Sequence, residues 1–232
     1  MKVLSFQIYN PDCIVVLQGS KPDLEFFSFF PNSLIIATDG AANDLLALGI
    51  TPGVVIGDMD SFDPSVVKNE IGTIIYEDSQ ENNDFEKAMV YALKQKCSSI
   101  LIWGMHGGDF EHTLNNTSVL WKFTGSFSQI TIVDSMSRIA VPVFFNMVCG
   151  ECKEQEVVSL IPFPDTHLTT YGLQWNLNEE VLELGVREGA RNRVVEPSIS
   201  LILKRGRLLF FCDSRFPSIP LFTENPSYIL KG

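Results

Sequence analysis

Short runs of β-branched and aliphatic residues alternate with helix-forming segments up to about residue 135, and this alternation restricts the fold more than any other feature. The runs that predict buried strands cover residues 13–17, 34–38, 54–56, 73–76, 100–103 and 130–133. The segments that predict helices cover residues 22–30, 41–48, 64–70, 84–93 and 112–123. Strands that alternate with helices build βαβ units, so we expect a parallel sheet in an α/β domain.

The second part of the chain has a different pattern. Short, partly alternating apolar runs are separated by turns that contain proline or glycine, and they cover residues 141–148, 157–161, 172–177, 199–204 and 207–212. This pattern predicts an all-β domain, either a small sandwich or a barrel. No low-complexity linker is present, so we expect two domains, residues 1–138 and 139–232, that abut directly.

Two carboxylates follow the third predicted strand, one residue apart. Asp58 and Asp60 come after Gly57, and residues i and i+2 of an extended chain point to the same side. Mg²⁺ in proteins is commonly bound by one or two carboxylates together with substrate phosphates. The other interpretation of this stretch, taken alone, is a polar turn that ends a core strand.

Polar residues and glycines after other predicted strands favour a ligand site over a simple turn. Asp39 follows the second predicted strand, and Gly104, Gly107 and Gly108 follow the fifth. Ligands of parallel sheets bind beyond the carboxyl ends of the strands, and glycine lets backbone amides approach a phosphate closely. Asp84 is predicted in the first turn of a helix, where the helix dipole favours its charge.

The composition of the 232 residues excludes several classes of function. The formal net charge is −11, which argues against a nucleic-acid-binding surface because such a surface needs a basic footprint. A single nucleotide can still bind, since a local cation neutralises its phosphates. The odd number of cysteines, five, indicates reduced thiols. We find no signal peptide and no apolar stretch of about 18 residues, so we expect a cytoplasmic protein without a membrane segment.

Four motifs, in this order, resemble those of the thiamine diphosphokinase (thiamin pyrophosphokinase) family. They are TDGAAN at residues 38–43, GDMDS at 57–61, DSQENNDFEKA at 78–88 and GMHGGDFEH at 104–112. SLIP at residues 159–162 and GLQWNL at 172–177 are also similar to motifs of that family. Each motif alone is weakly specific, whereas the ordered set of four is fairly specific.

The resemblance implies a Rossmann-like α/β nucleotide-binding domain followed by a β-sandwich domain that binds thiamine. It implies transfer of a diphosphate from ATP to the hydroxyl group of thiamine, with thiamine diphosphate and AMP as products. Mg²⁺ is the implied cofactor, and ATP and thiamine are the implied small-molecule partners. The implied assembly is a homodimer with the site near the interface between subunits.

The resemblance also implies roles for individual residues. The implied catalytic residues are Asp39, Asp58, Asp60, Asp84 and His112. Asp58, Asp60 and Asp84 are the implied Mg²⁺ ligands, with Asp39 nearby as a further ligand or as the acceptor of a hydroxyl proton. The implied nucleotide-binding residues are Asn43, Lys87, Gly104, Gly107 and Gly108. The implied thiamine-binding residues are Gln80, Trp175 and Asn192.

The sequence departs from the family pattern in both halves. Asp109 and Glu111 replace an Arg and an Asp of the fourth motif, and residues 189–192 keep only the asparagine of a serine-rich motif. A carboxylate does not substitute for an Arg opposite phosphates, because only Arg pairs with them bidentately. Two alternatives stay open: diphosphate transfer to a different heterocyclic alcohol, and nucleotide binding without catalysis. At single residues, His112 in a polar network at a helix start and Trp175 in a core are the alternative interpretations.

Overall fold

The structure, a computed structural model, describes residues 1–66, 71–79 and 81–224. Within these residues the helices are α1 (Leu24–Ser28), α2 (Asp39–Ala47), α3 (Asp84–Lys94) and α4 (Phe110–Phe123), with a 3₁₀ turn at Pro64–Val66. The strands are β1 (Lys2–Ile8), β2 (Cys13–Val16), β3 (Leu34–Thr38), β4 (Val54–Gly57), β5 (Thr73–Tyr76), β6 (Ser99–Trp103), β7 (Gln129–Ser135), β8 (Arg138–Val143), β9 (Met147–Cys149), β10 (Val157–Tyr171), β11 (Glu180–Glu183), β12 (Gly189–Arg193), β13 (Ile199–Asp213) and β14 (Ser218–Glu224). The fold is therefore mixed α/β and rich in sheet.

The chain divides into two compact units. The α/β unit comprises Tyr9–Met136, and the β unit comprises Met1–Ile8 together with the chain from Ser137 onward. The division after Met136 lies close to the expected one after residue 138. The N-terminus differs from the expectation, because β1 pairs with β9 and β14 of the β unit. The alternation in KVLSFQI is a strand pattern that our sequence analysis missed.

The α/β unit contains a parallel sheet with the strand order β7-β6-β2-β3-β4-β5. All six predicted strands are present, and β2 and β4 are buried along their whole length. Helices α2 and α3 pack against β3 and β4. After β5 the chain returns to the other side of β2 to form β6, so the strand order reverses between β2 and β6. Such a reversal opens a crevice at the carboxyl ends of the strands, where ligands bind.

The helix starts place polar side chains at that edge of the sheet. The Asn83 side chain caps α3 by accepting a 2.9 Å hydrogen bond from the backbone N–H of Glu86. Helix α2 begins at Asp39, immediately after β3, and α4 begins at Phe110; both begin two residues earlier than predicted. The helix predicted over residues 64–70 begins at Pro64 as expected, but its described part, Pro64–Val66, is 3₁₀ and not α-helical, and residues 67–70 lie outside the described residues.

The β unit is built around two strands of 15 residues each, β10 and β13, which pair antiparallel. One row of neighbours runs β14-β1-β9-β13-β8, and β10 also pairs with β11 and β12. Two predicted runs, 199–204 and 207–212, are parts of a single strand, β13. Gly206 (φ +86°) lies between them, and a Cβ at this position would lie only 2.3 Å from the carbonyl oxygen of Asp165, so glycine lets the strand continue.

Other strand predictions in the β unit are also corrected by the structure. The run at 141–148 is two strands, β8 and β9, and the run at 172–177 is no strand but forms a bridge between Leu173 and Val194. The sequence analysis missed β11, β12 and β14. The sequences of β11 and β12, EVLE and GARNR, are too polar for an apolar alternation to be visible.

The apolar core of the β unit is formed by residues from most of its strands, including Leu4, Val141, Leu160, Leu201 and Phe210. All five cysteines of the chain are free thiols. Among the described residues, no helix is long and apolar enough to span a membrane.

Candidate functional site

Three aspartates converge at the carboxyl ends of β3 and β4. Asp39 is the first residue of α2, and Asp58 and Asp60 follow Gly57 at the end of β4. One carboxylate oxygen from each residue lies within 4.8 Å of the other two. Asp39 is only 4% exposed, whereas Asp58 is partly exposed and Asp60 is exposed. We call these residues the aspartate cluster; three hard oxygen donors that open to solvent fit a divalent cation such as Mg²⁺.

Hydrogen bonds from neighbouring residues orient the carboxylates of the aspartate cluster. Asp39 accepts hydrogen bonds from the backbone N–H groups of Gly40 (2.6 Å) and Ser61 (3.3 Å). The carboxylate of Asp58 accepts one from the backbone N–H of Asp60 (3.3 Å), and the Ser61 hydroxyl donates one to Asp60 (2.9 Å). Each of the three carboxylates therefore accepts at least one hydrogen bond that restricts the rotation of its side chain.

The electrostatics of Asp39 also favour a cation at this place. Burial raises the pKa of Asp39, the N–H groups of Gly40 and Ser61 oppose this shift, and the negative charges of Asp84 and Asp60 raise the pKa further. Gly57 allows the close approach, since a Cβ there would lie 3.1 Å from Cβ of Asp39. A buried carboxylate beside other carboxylates is stabilised in its ionised form by a cation.

Asp84 lies outside the group of mutually close carboxylate oxygens, so the structure groups Asp39, and not Asp84, with Asp58 and Asp60. The Nζ of Lys87 donates hydrogen bonds to Asp84 (2.9 Å) and to the carbonyl oxygen of Glu77 (2.8 Å). The Lys87 side chain is 3% exposed. Its ammonium group is thus held inside the protein beside Asp84, and its predicted contact with a nucleotide stays a prediction.

Asn43 binds the loop after β4, and its predicted contact with a nucleotide stays a prediction. Its Nδ2 donates to the carbonyl oxygen of Ser61 (2.7 Å), and its Oδ1 accepts from the backbone N–H of Asp63 (2.9 Å). Both ends of the amide therefore bind the backbone of the loop that carries Asp58 and Asp60.

A cavity of about 240 Å³ lies beside the aspartate cluster. Its lining residues come from the ends of β2 and β3 and the starts of α3 and α4; they are Leu17, Gln18, Thr38, Asp39, Asn83, Asp84, Phe85, His112, Asn115 and Asn116. His112 is exposed, and its role as a site residue stays a prediction. The sequence analysis missed Gln18, Asn115 and Asn116. Gln18 directly follows the first predicted strand, and Asn115 and Asn116 are three and four residues after His112, on the same face of the helix. These positions could have indicated that the three residues lie at the site.

Backbone packing explains glycine at two of the three predicted glycine positions. A Cβ on Gly104 (φ +79°) would lie 2.1 Å from the carbonyl oxygen of Leu17, and one on Gly107 (φ +104°) would lie 2.5 Å from the backbone nitrogen of Ser20. These two glycines let the loops after β2 and β6 pack together. A Cβ on Gly108 would meet nothing closer than 3.4 Å, so this packing does not require glycine there. Phosphate contacts of the three glycines stay a prediction.

Asp109, one of the residues that depart from the family pattern, is at the N-cap position of α4, and its side chain makes no capping hydrogen bond. It is exposed, as is Glu111 in the first turn. The N-terminus of a helix favours negative side chains, which gives both carboxylates a local stabilising role.

A second cavity, of about 190 Å³, lies in the β unit. Trp175 is 57% exposed there, so the interpretation of Trp175 as a core residue is wrong. Asn192 is 6% exposed; it accepts a hydrogen bond from the backbone N–H of Trp175 (3.2 Å) and donates one to its carbonyl oxygen (2.8 Å). The lining also includes Arg187, which the sequence analysis missed. The predicted residue Gln80 lies outside the described residues.

Comparisons with known proteins agree with this arrangement. The family model "Thiamin pyrophosphokinase, catalytic domain" matches residues 29–133, and "Thiamin pyrophosphokinase, vitamin B1 binding domain" matches residues 148–207. The chain is 27% identical to a thiamine pyrophosphokinase of Bacillus subtilis over 84% of this chain and 95% of the relative. It is 28% identical to thiamine pyrophosphokinase 1 of Arabidopsis thaliana over 81% of each chain.

Solved structures show the same fold. The crystal structure of thiamine pyrophosphokinase from Bacillus subtilis superposes with a TM-score of 0.73 at 24% identity, covering 88% of this chain and 99% of that one. Thiamin pyrophosphokinase from Candida albicans gives a TM-score of 0.74 at 16% identity, covering 93% and 99%. The two family models together cover most of the chain in the expected order, and this chain belongs to the thiamin pyrophosphokinase family.

Proposed function

We propose that this protein transfers a diphosphate group from ATP to the hydroxyl group of thiamine, giving thiamine diphosphate and AMP. The observation that carries the proposal is the aspartate cluster beside a cavity, inside the segment matched by the catalytic-domain model of the family. A dehydrogenase is not favoured, because the glycines after β6 lack the spacing of the dinucleotide fingerprint.

The reaction forms a bond between the hydroxyl oxygen of thiamine and the β-phosphorus of ATP. The bond from that phosphorus to the oxygen shared with the α-phosphorus breaks, AMP leaves with this oxygen, and the hydroxyl proton is released. Such transfers depend on positioning and on neutralisation of phosphate charge more than on covalent chemistry. A bound Mg²⁺ would supply that neutralisation.

Residues of the α/β unit would hold the cation and orient the nucleotide. We assign Asp39, Asp58 and Asp60 to the cation, because their oxygens are the mutually close donors. Asp84 lines the same cavity, and its role as a further metal ligand is part of the proposal. His112 lies at the edge of the cavity, where a phosphate or a hydroxyl group can reach it.

Trp175 is the residue that we assign to thiamine. Thiamine has a flat pyrimidine and a cationic thiazolium ring, and an exposed indole face can stack on either of them. Asn192 binds the backbone N–H and the carbonyl oxygen of Trp175 and so holds the main chain from which the indole projects. The Rossmann-like and β-sandwich descriptions of the two domains, a homodimer and a cytoplasmic location complete the proposal; light scattering and cell fractionation test the last two.

The decisive experiment is incubation of the purified protein with ATP, MgCl₂ and thiamine. We expect thiamine diphosphate and AMP in equal amounts, and neither product in excess EDTA. A D58N/D60N double variant is the matched control for traces of a contaminating kinase. Formation of ADP and thiamine monophosphate, or the absence of any thiamine product while another heterocyclic alcohol is converted, would contradict the proposal.

A further inference from the structure

The geometry points to Asn43 as a positioning residue: we propose that its amide fixes the loop of residues 58–63 to α2 and so sets the affinity of the aspartate cluster for its cation. This role differs from the nucleotide contact expected from the sequence. The inference deepens the proposed function and rests on it for the identity of the cation site.

The loop between β4 and the 3₁₀ turn has no regular structure of its own, yet it carries two of the three clustered carboxylates. Its attachment to α2 is concentrated at Ser61 and Asp63. The Ser61 N–H donates to Asp39 and the Ser61 carbonyl accepts from Asn43, so this residue is bound to α2 through both of its backbone polar groups. The N–H of Asp63 adds a third bond, to Asn43.

Helix α2 is suited to this task because Asp39 and Asn43 are four residues apart and face the same side. One rigid helix therefore supplies both a cluster carboxylate and the anchor for the loop that carries the other two. A movement of the loop relative to α2 would change the distances within the cluster directly.

The hydrogen bonds of Asn43 act against the electrostatic repulsion among the three carboxylates. Three carboxylates within 4.8 Å repel one another when no cation is between them. The amide of asparagine offers a donor to Ser61 and an acceptor to Asp63 without adding charge, whereas aspartate lacks the donor and alanine lacks both. Without the anchor, we expect the loop to relax outward and the cluster to bind a cation more weakly.

The test measures cation binding without nucleotide and nucleotide use at saturating cation. For N43A we expect the Kd for Mn²⁺, measured by electron paramagnetic resonance on protein free of nucleotide, to rise about 10-fold to 100-fold, the usual effect of removing an outer-shell partner of a metal site. The Mg²⁺ concentration for half-maximal activity should rise in parallel. At saturating Mg²⁺ the KM for ATP should stay at the wild-type value.

The result that overturns the proposal is an N43A variant with wild-type Mn²⁺ affinity, whether or not its KM for ATP rises. N43L carries the same test if N43A fails to fold, because leucine keeps the size of the side chain, removes both hydrogen bonds to the loop and adds no charge beside the aspartate cluster. N146A is the matched control, since Asn146 accepts a 2.8 Å hydrogen bond from the backbone N–H of Leu203 in the β unit. It should lower stability and leave Mn²⁺ affinity unchanged.

Failure of this inference is distinguishable from failure of the proposed function. If wild-type protein binds Mn²⁺ but makes no thiamine diphosphate, the proposed function fails, while the comparison of Mn²⁺ affinities still tests Asn43. If wild-type protein makes thiamine diphosphate and N43A binds Mn²⁺ normally, only the role of Asn43 is refuted.

Discussion

The cavity of the α/β unit and the cavity of the β unit differ in the residues that line them. The first is lined mainly by polar side chains at strand ends and in the first turns of helices, and two of them are the carboxylates of Asp39 and Asp84. The second combines buried leucines with one exposed aromatic ring, a buried asparagine and the charged side chains of Arg187 and Glu188. The contrast matches the proposed division of roles, with phosphate charge at the first cavity and a flat ligand stacked on the exposed ring at the second.

This difference predicts different failures on substitution. A change among the carboxylates should lower turnover and spare the affinity for thiamine, because charge neutralisation matters most in the transition state. A change at the exposed ring should weaken binding of thiamine and spare ATP. The four predictions below test this separation.

The largest effect is expected at the aspartate cluster. D60N keeps the shape of an exposed side chain and removes one negative donor, so the fold should survive while kcat falls by about 100-fold or more, since loss of part of a metal's charge stabilisation is worth several kcal/mol. D58N should behave similarly. Steady-state kinetics with circular dichroism as the folding control measures the effect, and wild-type turnover in both variants would refute the assignment.

The next effect concerns the internal ammonium group of the α/β unit. K87M should lower the free energy of unfolding by about 1.5–3 kcal/mol, because Asp84 and the Glu77 carbonyl lose a charged hydrogen-bond donor. K122M is the matched control: Lys122 also binds a carboxylate, that of Glu86, but is 54% exposed, so its loss should cost at most about 1 kcal/mol. Urea unfolding compares the two, and equal losses would contradict the structural role of Lys87.

Only some of the residues in the candidate site of the α/β unit could be predicted from the sequence. Asp58 and Asp60 were predictable as a pair because spacing within one strand end is local. The position of Asp39 in the aspartate cluster was harder to predict. It depends on the pairing of β3 with β4 and on the start of α2 two residues before the predicted start. The anchoring role of Asn43 was invisible for the same reason: its partners Ser61 and Asp63 are distant in sequence.

The β unit was less predictable than the α/β unit for a physical reason. Parallel strands buried on both faces are apolar runs that stand out in the sequence. Strands with polar or exposed positions, such as β11 and β12, carry no such signal, and the pairing of β1 with β14 joins the two ends of the described chain. The backbone of Trp175 is bound by Asn192, 17 residues later in the chain, and no local pattern in the sequence encodes such a contact.

The third prediction tests the flat-ligand side of the comparison. W175A should weaken thiamine binding by about 1–3 kcal/mol if stacking of a base on an aromatic ring is a fair analogue, with the KM for ATP unchanged. Its stability should stay near that of the wild type, because the ring is exposed. W103A, which removes a buried ring of the α/β unit, should instead lower stability by about 3–5 kcal/mol. Equal losses for ATP and thiamine in W175A would show that the two cavities do not serve separate ligands.

The smallest effect is expected at a carboxylate at the amino ends of the same parallel strands. Asp12 precedes β2 and accepts hydrogen bonds from the backbone N–H groups of Ser98 (2.6 Å) and Ser99 (2.8 Å). Burial opposes the ionisation of Asp12, but these N–H groups and the Ser99 hydroxyl outweigh it and hold the pKa of Asp12 below its usual value. This carboxylate holds strands together and lies away from the aspartate cluster in the α/β unit, so D12A should leave kcat unchanged.

D12A should lower the free energy of unfolding by about 1 kcal/mol at pH 7, the usual net value of such hydrogen bonds. Because the folded-state pKa is depressed, the stabilisation is fully present above the unfolded-state pKa of about 3.9 and is lost as the pH falls through the folded-state value. Urea unfolding of both proteins at pH 7 and at successively lower pH should therefore show the difference shrinking towards zero in acid. Two results would contradict this prediction: a difference in the free energy of unfolding that grows on acidification, or a fall in kcat for D12A. Either would mean that the role of Asp12 at the amino ends of the strands is not purely structural.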